Sequence, residues 1–366
     1  MKKYLSNLYL VLFLFCSLPM VMAQNIDPTP KDSIKNFKLT AFPVAFYLPE
    51  TGFGFGGLGI TTFRFKNELP ESRPSTVQLG LTYTTKGQFL LFAPFELYAD
   101  EERWRFVGEL GFYKYFYNFY GLGDNSKQED LETYNATFPR FRLSVLREIL
   151  PDFSIGLGYE YDGFNNIKIV ENGILENSDV IGKEGGTISN LGIVAIYDTR
   201  DNIFTPSSGF FIQGSIFSSS KIIGSSFTYN KYEIDARYYQ HLKGKHVLAA
   251  NIFAGNSTSG TPFLSLNYLG TSRTRGHDNR RFQDNAELSL ALEYRFPIAG
   301  RFGGVLFGST GTVSPRLDAV FSSSYKNSVG TGLRYILNKK EGPRIRADYG
   351  ISKEGGNFYL TIKEAF

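Results

Sequence analysis

The stretch Glu287-Leu288-Ser289-Leu290-Ala291-Leu292-Glu293-Tyr294-Arg295-Phe296 alternates polar or small residues with apolar ones at a period of two. Because successive side chains of a β-strand point to opposite faces, this pattern predicts a strand with one polar and one apolar face. Residues 231–238 repeat the pattern, with charged side chains alternating with Tyr, Ile, Ala and Tyr. So sharp a division indicates strands with lipid on one side and water on the other.

The composition points in the same direction. Aromatic residues make up 16% of the chain, which has 34 Phe, 23 Tyr and 38 Gly but a single Trp. After the N-terminal region, no run approaches the roughly 18 apolar residues that a membrane-spanning helix needs. An aromatic-rich, glycine-rich and helix-poor chain is typical of a transmembrane β-barrel. The net charge of +4 is spread along the chain and therefore gives no indication of a nucleic-acid partner.

The first residues have the three parts of an export signal. Lys2 and Lys3 precede an apolar run over about residues 8–21, and Val21-Met22-Ala23 is a small-residue cleavage site. We therefore predict that residues 1–23 are a signal peptide, cleaved near Ala23. The protein is then expected to be exported to the bacterial outer membrane.

Sixteen segments of membrane-spanning length follow, an even number, as a closed bacterial barrel requires. We predict that residues 24–38 form a short periplasmic tail and that residues 39–366 form one all-β domain. Its fold class is a 16-stranded antiparallel transmembrane β-barrel. The strands are expected near 40–48, 53–65, 75–85, 88–99, 103–115, 134–147, 153–163, 187–200, 209–219, 227–241, 246–256, 285–297, 302–313, 324–337, 343–352 and 356–365.

The links between these segments alternate in length. Short, turn-like links such as Leu150-Pro151-Asp152 and Lys243-Gly244-Lys245 are predicted to lie in the periplasm. Long polar links at about 116–133, 164–186 and 257–284 are predicted to be outer loops. This arrangement places both ends of the barrel domain on the periplasmic side.

The last of these links, here called the arginine loop (257–284), contains Arg273 and the run Thr274-Arg275-Gly276-His277-Asp278-Asn279-Arg280-Arg281-Phe282. A guanidinium group carries five donors in a fixed fork, which suits it to hold a carboxylate in a partly desolvated lumen. The alternative is a solvated basic loop at the cell surface, because charge clusters are usually solvated.

Sixteen strands and an arginine loop between the eleventh and twelfth resemble the bacterial surface antigen family, the superfamily of BamA and TamA outer-membrane assembly and secretion barrels. Its members carry an aliphatic residue, Arg, Gly and an aromatic residue in the sixth outer loop, which folds back into the lumen. The resemblance implies an in-folded sixth loop, with Arg275 and Gly276 forming a lumenal clamp. Glu293, which is predicted to face inward, is the best carboxylate partner, with Glu287 behind it.

Three positions depart from the pattern of the family. His277 occupies the place of the aromatic residue and Thr274 that of the aliphatic one. On the strand expected at 302–313, where relatives usually carry an inward Asp before a glycine, this chain has Ser309. A serine cannot form the ion pair, so the clamp is expected to have lost one carboxylate.

Residues 197–209 also resemble a family segment. A metal site at Asp198 and Asp201 is one interpretation. Pro206 and Gly209, with Asp and Asn caps, favour a tight periplasmic turn instead. We interpret the segment as structural and predict no metal site.

Two features concern the ends of the sheet. Pro43 lies in the first strand, where it removes a donor from the seam that closes the cylinder. It either weakens a seam that opens as a lateral gate or merely lies at a strand start. The terminal aromatic residue, Phe366, resembles the signal by which outer-membrane barrels are themselves recognised for insertion.

No catalytic residues and no cofactor are predicted. The three histidines, His241, His246 and His277, have no nucleophile motif or metal-ligand spacing around them. The one cysteine, Cys16, lies in the expected signal peptide, so thiol chemistry is excluded from the mature protein. The chain is therefore not expected to be an enzyme.

The resemblance implies a role in inserting or translocating proteins at the outer membrane. Residues 24–38 leave no room for the polypeptide-transport-associated domains through which well-known members recruit clients. Unidentified outer-membrane or periplasmic protein partners are therefore expected to bring the clients, with outer-membrane lipid around the barrel and no nucleic acid. The alternative is a passive pore or a structural barrel subunit of an outer-membrane complex.

Overall fold

The computed structural model describes residues 37–48, 52–66, 68–69, 71–336, 344–362 and 364–366. The expected signal peptide (1–23) and all but the last two residues of the expected tail (24–38) lie outside the described residues.

Strands make up most of the described chain. Three of them, β8, β13 and β14, have only two or three residues, and the others have eight or more. In chain order the strands are β1 (Lys38–Leu48), β2 (Gly52–Phe63), β3 (Ser75–Thr84), β4 (Phe89–Ala99), β5 (Trp104–Phe119), β6 (Glu132–Leu150), β7 (Phe153–Phe164), β8 (Asn166–Lys168), β9 (Gly186–Asp198), β10 (Gly209–Ser219), β11 (Tyr229–His241), β12 (Val247–Ser257), β13 (Asn267–Tyr268), β14 (Gln283–Asp284), β15 (Ala286–Ala299), β16 (Phe302–Ser314), β17 (Lys326–Ile336), β18 (Arg344–Ser352) and β19 (Gly355–Ile362).

Short helical turns occur only in connections within the described residues. They are 3-10 turns at Gln128–Asp130, Lys221–Ile223, Phe263–Ser265 and Leu317–Phe321. In the part of the chain that the structure describes, no helix has the length and apolar character needed to cross a membrane.

The long strands pair antiparallel in the order of the sequence, from β1 with β2 to β18 with β19. β7 pairs directly with β9, because the short β8 pairs with β6 instead. β12 pairs directly with β15, because β13 and β14 form a separate two-stranded ladder in the arginine loop. The prediction of an all-β, 16-stranded antiparallel barrel is confirmed.

The period-two alternation separates an outer from an inner face. In β15, Leu290 and Leu292 are 38% and 47% exposed, whereas Glu287, Glu293 and Arg295 are buried. A soluble protein would bury the leucines and expose the charges. The reverse arrangement fits a strand whose outer face meets lipid and whose inner face meets a polar lumen.

The arginine loop and other connections fill one end of the lumen. Inward aromatic side chains of β5, β6 and β7 pack there against residues of the connections that follow β8 and β12. Because water is excluded from this cluster, its apolar contacts hold the connections against the wall, as an apolar core would. Its buried members are Phe119, Tyr134, Ala136, Phe138, Phe164, Leu175, Ile188, Tyr229, Phe263, Leu264 and Leu266.

Candidate functional site: an arginine clamp in the lumen

The arginine loop folds back on itself as a hairpin. β13 and β14 pair Asn267 with Asp284 and Tyr268 with Gln283, so residues 269–282 form its tip. The base of the tip is anchored by an apolar contact among the buried side chains of Leu269, Phe282 and the wall residue Val313. The loop therefore lies against the inner wall.

Thr274 shapes the bend before the key arginine. Its hydroxyl accepts hydrogen bonds from the backbone N–H groups of Gly270, at 2.9 Å, and Thr271, at 3.2 Å. Thr274 is fully buried. An aliphatic side chain could not make these bonds, and this explains how a threonine serves in place of the aliphatic residue of the family.

Arg275 connects the loop to three strands. Its Nη2 donates to Glu293 of β15 and its Nη1 donates to Asp348 of β18. The guanidinium carbon lies 3.7 Å from the centroid of the Phe307 ring in β16. The arginine side chain is 1% exposed and both carboxylates are 0% exposed, so these contacts are made out of water, where charge-assisted bonds are strong.

Gly276 allows the loop to touch the wall. Its φ of +104° lies in the region that favours glycine. Its N–H donates to the Tyr359 hydroxyl and its carbonyl accepts from the Ser352 hydroxyl, both at 2.9 Å. A Cβ here would lie 3.0 Å from the backbone nitrogen of Ile351 and from Cβ of Ser328, so even an alanine would push the loop away.

Asp348 is shared by several arginines. Besides Arg275, it accepts from Arg334 Nη1 at 2.5 Å and lies 3.4 Å from Arg346 Nε. Arg334 also donates from Nε to Glu364 at 2.6 Å. Positive groups therefore outnumber the carboxylate they surround, and Asp348 is the center of this part of the network.

Glu293 is connected to the last residue of the chain through Arg295. Its second oxygen accepts from Arg295 Nε at 2.9 Å, and Arg295 Nη2 donates to the backbone oxygen of Phe366 at 2.9 Å. The Phe366 side chain is 4% exposed and packs with Tyr239 and Ala249. The structure thus places Phe366 in the lumen, and its role as an insertion signal stays a prediction.

The structure brings Arg275, Gly276 and Glu293 together, but it separates Glu287 from them. Glu287 lies 3.6 Å from Arg273 Nη2 and accepts a 2.8 Å hydrogen bond from Ser289. Six residues of strand separate it from Glu293, which is roughly 20 Å at about 3.3 Å per residue. It cannot reach the same guanidinium, so the expectation that it supports Arg275 is corrected.

The expectation that the clamp lacks one carboxylate is also corrected. Ser309 faces inward and shares a 2.7 Å hydrogen bond with the Ser328 hydroxyl. The second carboxylate is Asp348, which sequence reasoning missed. The alternation of Arg344, Arg346 and Asp348 indicates an inward acid, but their distance from the loop depends on how the barrel curves.

Arg280 and Arg281 of the loop bind neighbouring connections instead of the clamp carboxylates. Arg280 donates to the backbone oxygens of Phe263 at 3.2 Å and Leu264 at 2.9 Å, which fastens the hairpin to its own start. Arg281 donates to Gln128 at 2.7 Å, which ties the tip to the connection between β5 and β6. The interpretation as a solvated basic loop does not fit these contacts.

His277 sits at the place of the family's aromatic residue and packs edge-on against Phe282, with 6.1 Å between ring centroids. Its Nδ1 is 3.3 Å from Glu354. Burial lowers the pKa of His277, and the smaller effect of Glu354 opposes this. The imidazole is therefore neutral at pH 7, so its short contact with Glu354 is not an ion pair there.

Asp198 and Asp201 have protein partners. Asp198 lies 2.7 Å from Arg200, 2.9 Å from Arg73 and 3.3 Å from Arg105. Asp201 accepts from the backbone of the turn that follows it. Within the described ranges, no group of three or more His, Cys, Asp or Glu side chains is placed to hold a metal ion.

Pro43 lies in β1 opposite Gly57 of β2, and it is exposed. It is the sixth of the eleven residues of β1, so the interpretation that it merely lies at a strand start is wrong. Its part in a seam or gate stays a prediction.

Comparison with known proteins agrees with this geometry. A model of the Omp85 superfamily domain matches residues 73–366. The chain belongs to the Omp85 superfamily. The resemblance to the family of BamA and TamA is thereby confirmed, and so is the location of this Omp85 barrel in the bacterial outer membrane.

Two solved structures are similar in fold. One is a crystal structure of BamA from Haemophilus ducreyi lacking POTRA domains 1-3, at 15% identity, a TM-score of 0.53, and coverage of 89% of this chain and 69% of that one. The other is CdiB from Acinetobacter baumannii, at 11% identity and a TM-score of 0.55, with 89% of this chain and 59% of that chain covered. Among proteins with curated descriptions, none matches this sequence.

Proposed function

We propose that this Omp85 barrel assists the insertion or translocation of proteins at the outer membrane and that partner proteins bring its clients. The observation that carries the proposal is the burial of Arg275 between Glu293 and Asp348, which holds the arginine loop inside the lumen. A loop held at this depth is not a solvent-exposed surface loop. It obstructs the lumen, and it supports the wall from within.

The obstruction argues against a passive pore. A pore needs a continuous water path, whereas here the apolar cluster of the connections and the tip of the arginine loop occupy the lumen. A cavity beside the loop has a volume of about 380 Å³ and is lined by charged side chains, among them Arg140, Asp162 and Glu233. These charges largely form ion pairs with one another. Such a lining suits a small water-filled cavity better than a wide channel.

The clamp acts on one part of the wall. Arg275 contacts β15, β16 and β18, and Gly276 contacts β18 and β19. If the seam beside Pro43 opens, the strands at the free edge lose neighbours on one side. We propose that the clamp keeps β15 to β19 together as a unit during such opening.

Two measurements test the proposal. Depletion of the protein should lower the amount of folded outer-membrane proteins. In planar bilayers, the purified barrel should show little steady conductance, and Arg275→Ala should raise it because the loop is released. Arg316→Ala, which breaks an exposed ion pair with Asp318, is the matched control and should leave conductance unchanged. Normal assembly after depletion, together with a large steady conductance of the unaltered barrel, would establish the passive pore instead.

The partners can be sought directly. Copurification from the native outer membrane, after mild solubilisation, should recover proteins that bind clients on the periplasmic side. Recovery of the barrel alone would contradict the dependence on partners that we propose.

A further inference from the structure

A second cavity, of about 570 Å³, lies at the loop end of the barrel. Its volume falls in the range of about 300–1,000 Å³ that is usual for small-molecule sites. It is bordered by the connection between β5 and β6, the arginine loop, the start of β17 and the turn between β18 and β19. Its charged lining residues are Lys127, Arg281, Lys326 and Lys353 on the positive side and Glu129 and Glu354 on the negative side.

Arg281 lines this cavity, and its Nη2 has no partner among the described residues. Its side chain is 9% exposed, and its polar contacts, to Gln128 at 2.7 Å and Asp278 at 3.5 Å, both use Nη1. Its Nε is buried and has no hydrogen-bond partner among the described residues. Nη2 is not among the buried atoms, so it is the donor that an anion in the cavity can reach. A hydrogen bond from a guanidinium to a carboxylate or phosphate is charge-assisted and strong.

Two lysines of the cavity have no acidic partner among the described residues. Glu354 contacts His277 at 3.3 Å, and Glu129 pairs with Lys127 at 3.5 Å. Lys326 Nζ is 3.2 Å from the Ser324 hydroxyl and 4.8 Å from the centroid of the Phe282 ring. Like Lys353, it forms no ion pair with any described residue. Four positive and two negative side chains line the cavity, so it has an excess of positive charge.

We propose that this cavity binds an anionic saccharide, a sugar that carries a phosphate or carboxylate group. Arg281 donates to the anion from Nη2, and Lys326 and Lys353 add attraction. The side-chain amides of Gln128 and Asn327, which also line the cavity, suit the hydroxyl groups of a sugar. The site goes beyond the proposed role in protein assembly and does not depend on it.

Isothermal titration of the purified full chain in detergent micelles tests the site. The probes are glucose 6-phosphate, inorganic phosphate and glucose at equal ionic strength. We expect saturable binding of glucose 6-phosphate that is at least about tenfold tighter than the binding of inorganic phosphate or glucose. The reason is that its phosphate contacts the cationic side chains while its hydroxyl groups contact the amides. Absence of saturable binding by all three overturns the proposal. Equal affinity for inorganic phosphate and glucose 6-phosphate overturns its saccharide part.

Variants assign the binding to this cavity. Lys353→Gln lies in an exposed turn and should weaken glucose 6-phosphate about tenfold while folding normally. Arg281→Lys keeps the charge but loses the fork, so it should weaken binding by a similar factor. Lys221→Gln, in the connection between β10 and β11 away from the cavity, is the matched control and should change nothing. Unaltered binding by Lys353→Gln and Arg281→Lys places the ligand elsewhere and overturns the proposal.

The ligand could be soluble or carried by a surface glycolipid. Mixed micelles containing a phosphorylated glycolipid should compete with glucose 6-phosphate if the source is the membrane. Failure to compete, with binding of the soluble sugar intact, assigns the site to a soluble saccharide. In both cases the shared chemistry, a sugar bearing an anion, is what the cavity recognises.

Discussion

Arg275 and Asp348 are 73 positions apart in the sequence, yet their side chains are in contact and are exposed by only 1% and 0%. Asp348 also contacts Arg334 and Arg346. The two members of the pair therefore have unequal surroundings. Without Arg275, the carboxylate retains two cationic partners. Without Asp348, three buried arginines lose a shared carboxylate, and Arg346 loses its one ion pair among the described residues.

This inequality predicts the order of two substitutions. Asp348→Asn should lower the free energy of unfolding by about 3–5 kcal/mol, because it leaves buried charges uncompensated. Arg275→Ala should cost less, about 1–3 kcal/mol, because both of its carboxylates keep another arginine. Guanidinium unfolding of the purified barrel in detergent, followed by gel mobility, measures both. A larger loss for Arg275→Ala than for Asp348→Asn would contradict this reading of the network.

A double-mutant cycle tests the contact between Arg275 and Glu293. Because the two side chains share one ion pair, the combined loss from Arg275→Ala and Glu293→Ala should fall short of the sum of the single losses by about 0.5–3 kcal/mol. The same unfolding assay applies. Purely additive losses would indicate that the two residues do not meet.

Gly276 and Gly224 form a matched pair for a backbone test. Both have positive φ, of +104° and +83°, but a Cβ at Gly224 would meet nothing within 4 Å, whereas one at Gly276 would press on Ser328 and Ile351. Gly224→Ala should therefore lower the free energy of unfolding only through local backbone strain, by about 1 kcal/mol. Gly276→Ala should cost more and should also raise the conductance, because it displaces the loop. Equal effects of the two substitutions would mean that Gly276 is needed only for its φ.

The sequence was sufficient for the barrel because lipid and water enforce period two along every strand. Residues 287–296 show this directly, and the same rule located Glu293 on the inner face. Links such as Leu150-Pro151-Asp152 have turn chemistry that can be read locally. Strand number and connection lengths follow from such short-range patterns, whereas the clamp role of Arg275 was implied by the resemblance to the family.

The partners of the clamp follow from long-range geometry. Glu287 and Glu293 share a face, and only the distance along the strand shows that one of them is out of reach. Asp348 belongs to a strand three long strands away from Glu293, and the in-folded loop alone brings Arg275 to both. No local pattern contains that information, and the family pattern points to position 309 for the second carboxylate.

His277 makes the stability of the loop depend on pH. Burial lowers its pKa from the ordinary value of 6.5, with Glu354, Asp278 and Lys326 as the charged groups around it. The unfolded chain then takes up a proton at a higher pH than the folded protein does. The stability contributed by the neutral imidazole is fully present above about pH 6.5 and is lost as the pH falls towards the lowered pKa.

The comparison is between the barrel and His277→Gln from pH 8 to pH 5. Unfolding in detergent measures the stability at each pH. Between pH 8 and pH 5, the free energy of unfolding should fall more for the unaltered protein than for His277→Gln. Glu354, whose pKa is lowered from 4.5, loses its contribution only at lower pH, so the two windows are separate. His241→Gln, at an exposed histidine near a turn, should behave like the unaltered protein. Parallel pH profiles for the barrel and His277→Gln would exclude this role for His277.

Phe366 allows packing and recognition to be told apart. Its side chain is 4% exposed and packs in the lumen against Tyr239, Ala249 and Ala291, while its backbone oxygen accepts from Arg295. Phe366→Ala should therefore lower the free energy of unfolding of barrel refolded in detergent by about 3–5 kcal/mol, as for other buried phenylalanines. Phe321→Ala removes a ring that is 80% exposed in a connection and should have no comparable effect. Because refolding in detergent needs no cellular machinery, a loss there reports packing alone. If the refolded Phe366→Ala variant is as stable as the unaltered barrel but is scarce in the outer membrane of cells, the ring acts as an insertion signal and its lumenal packing contributes little.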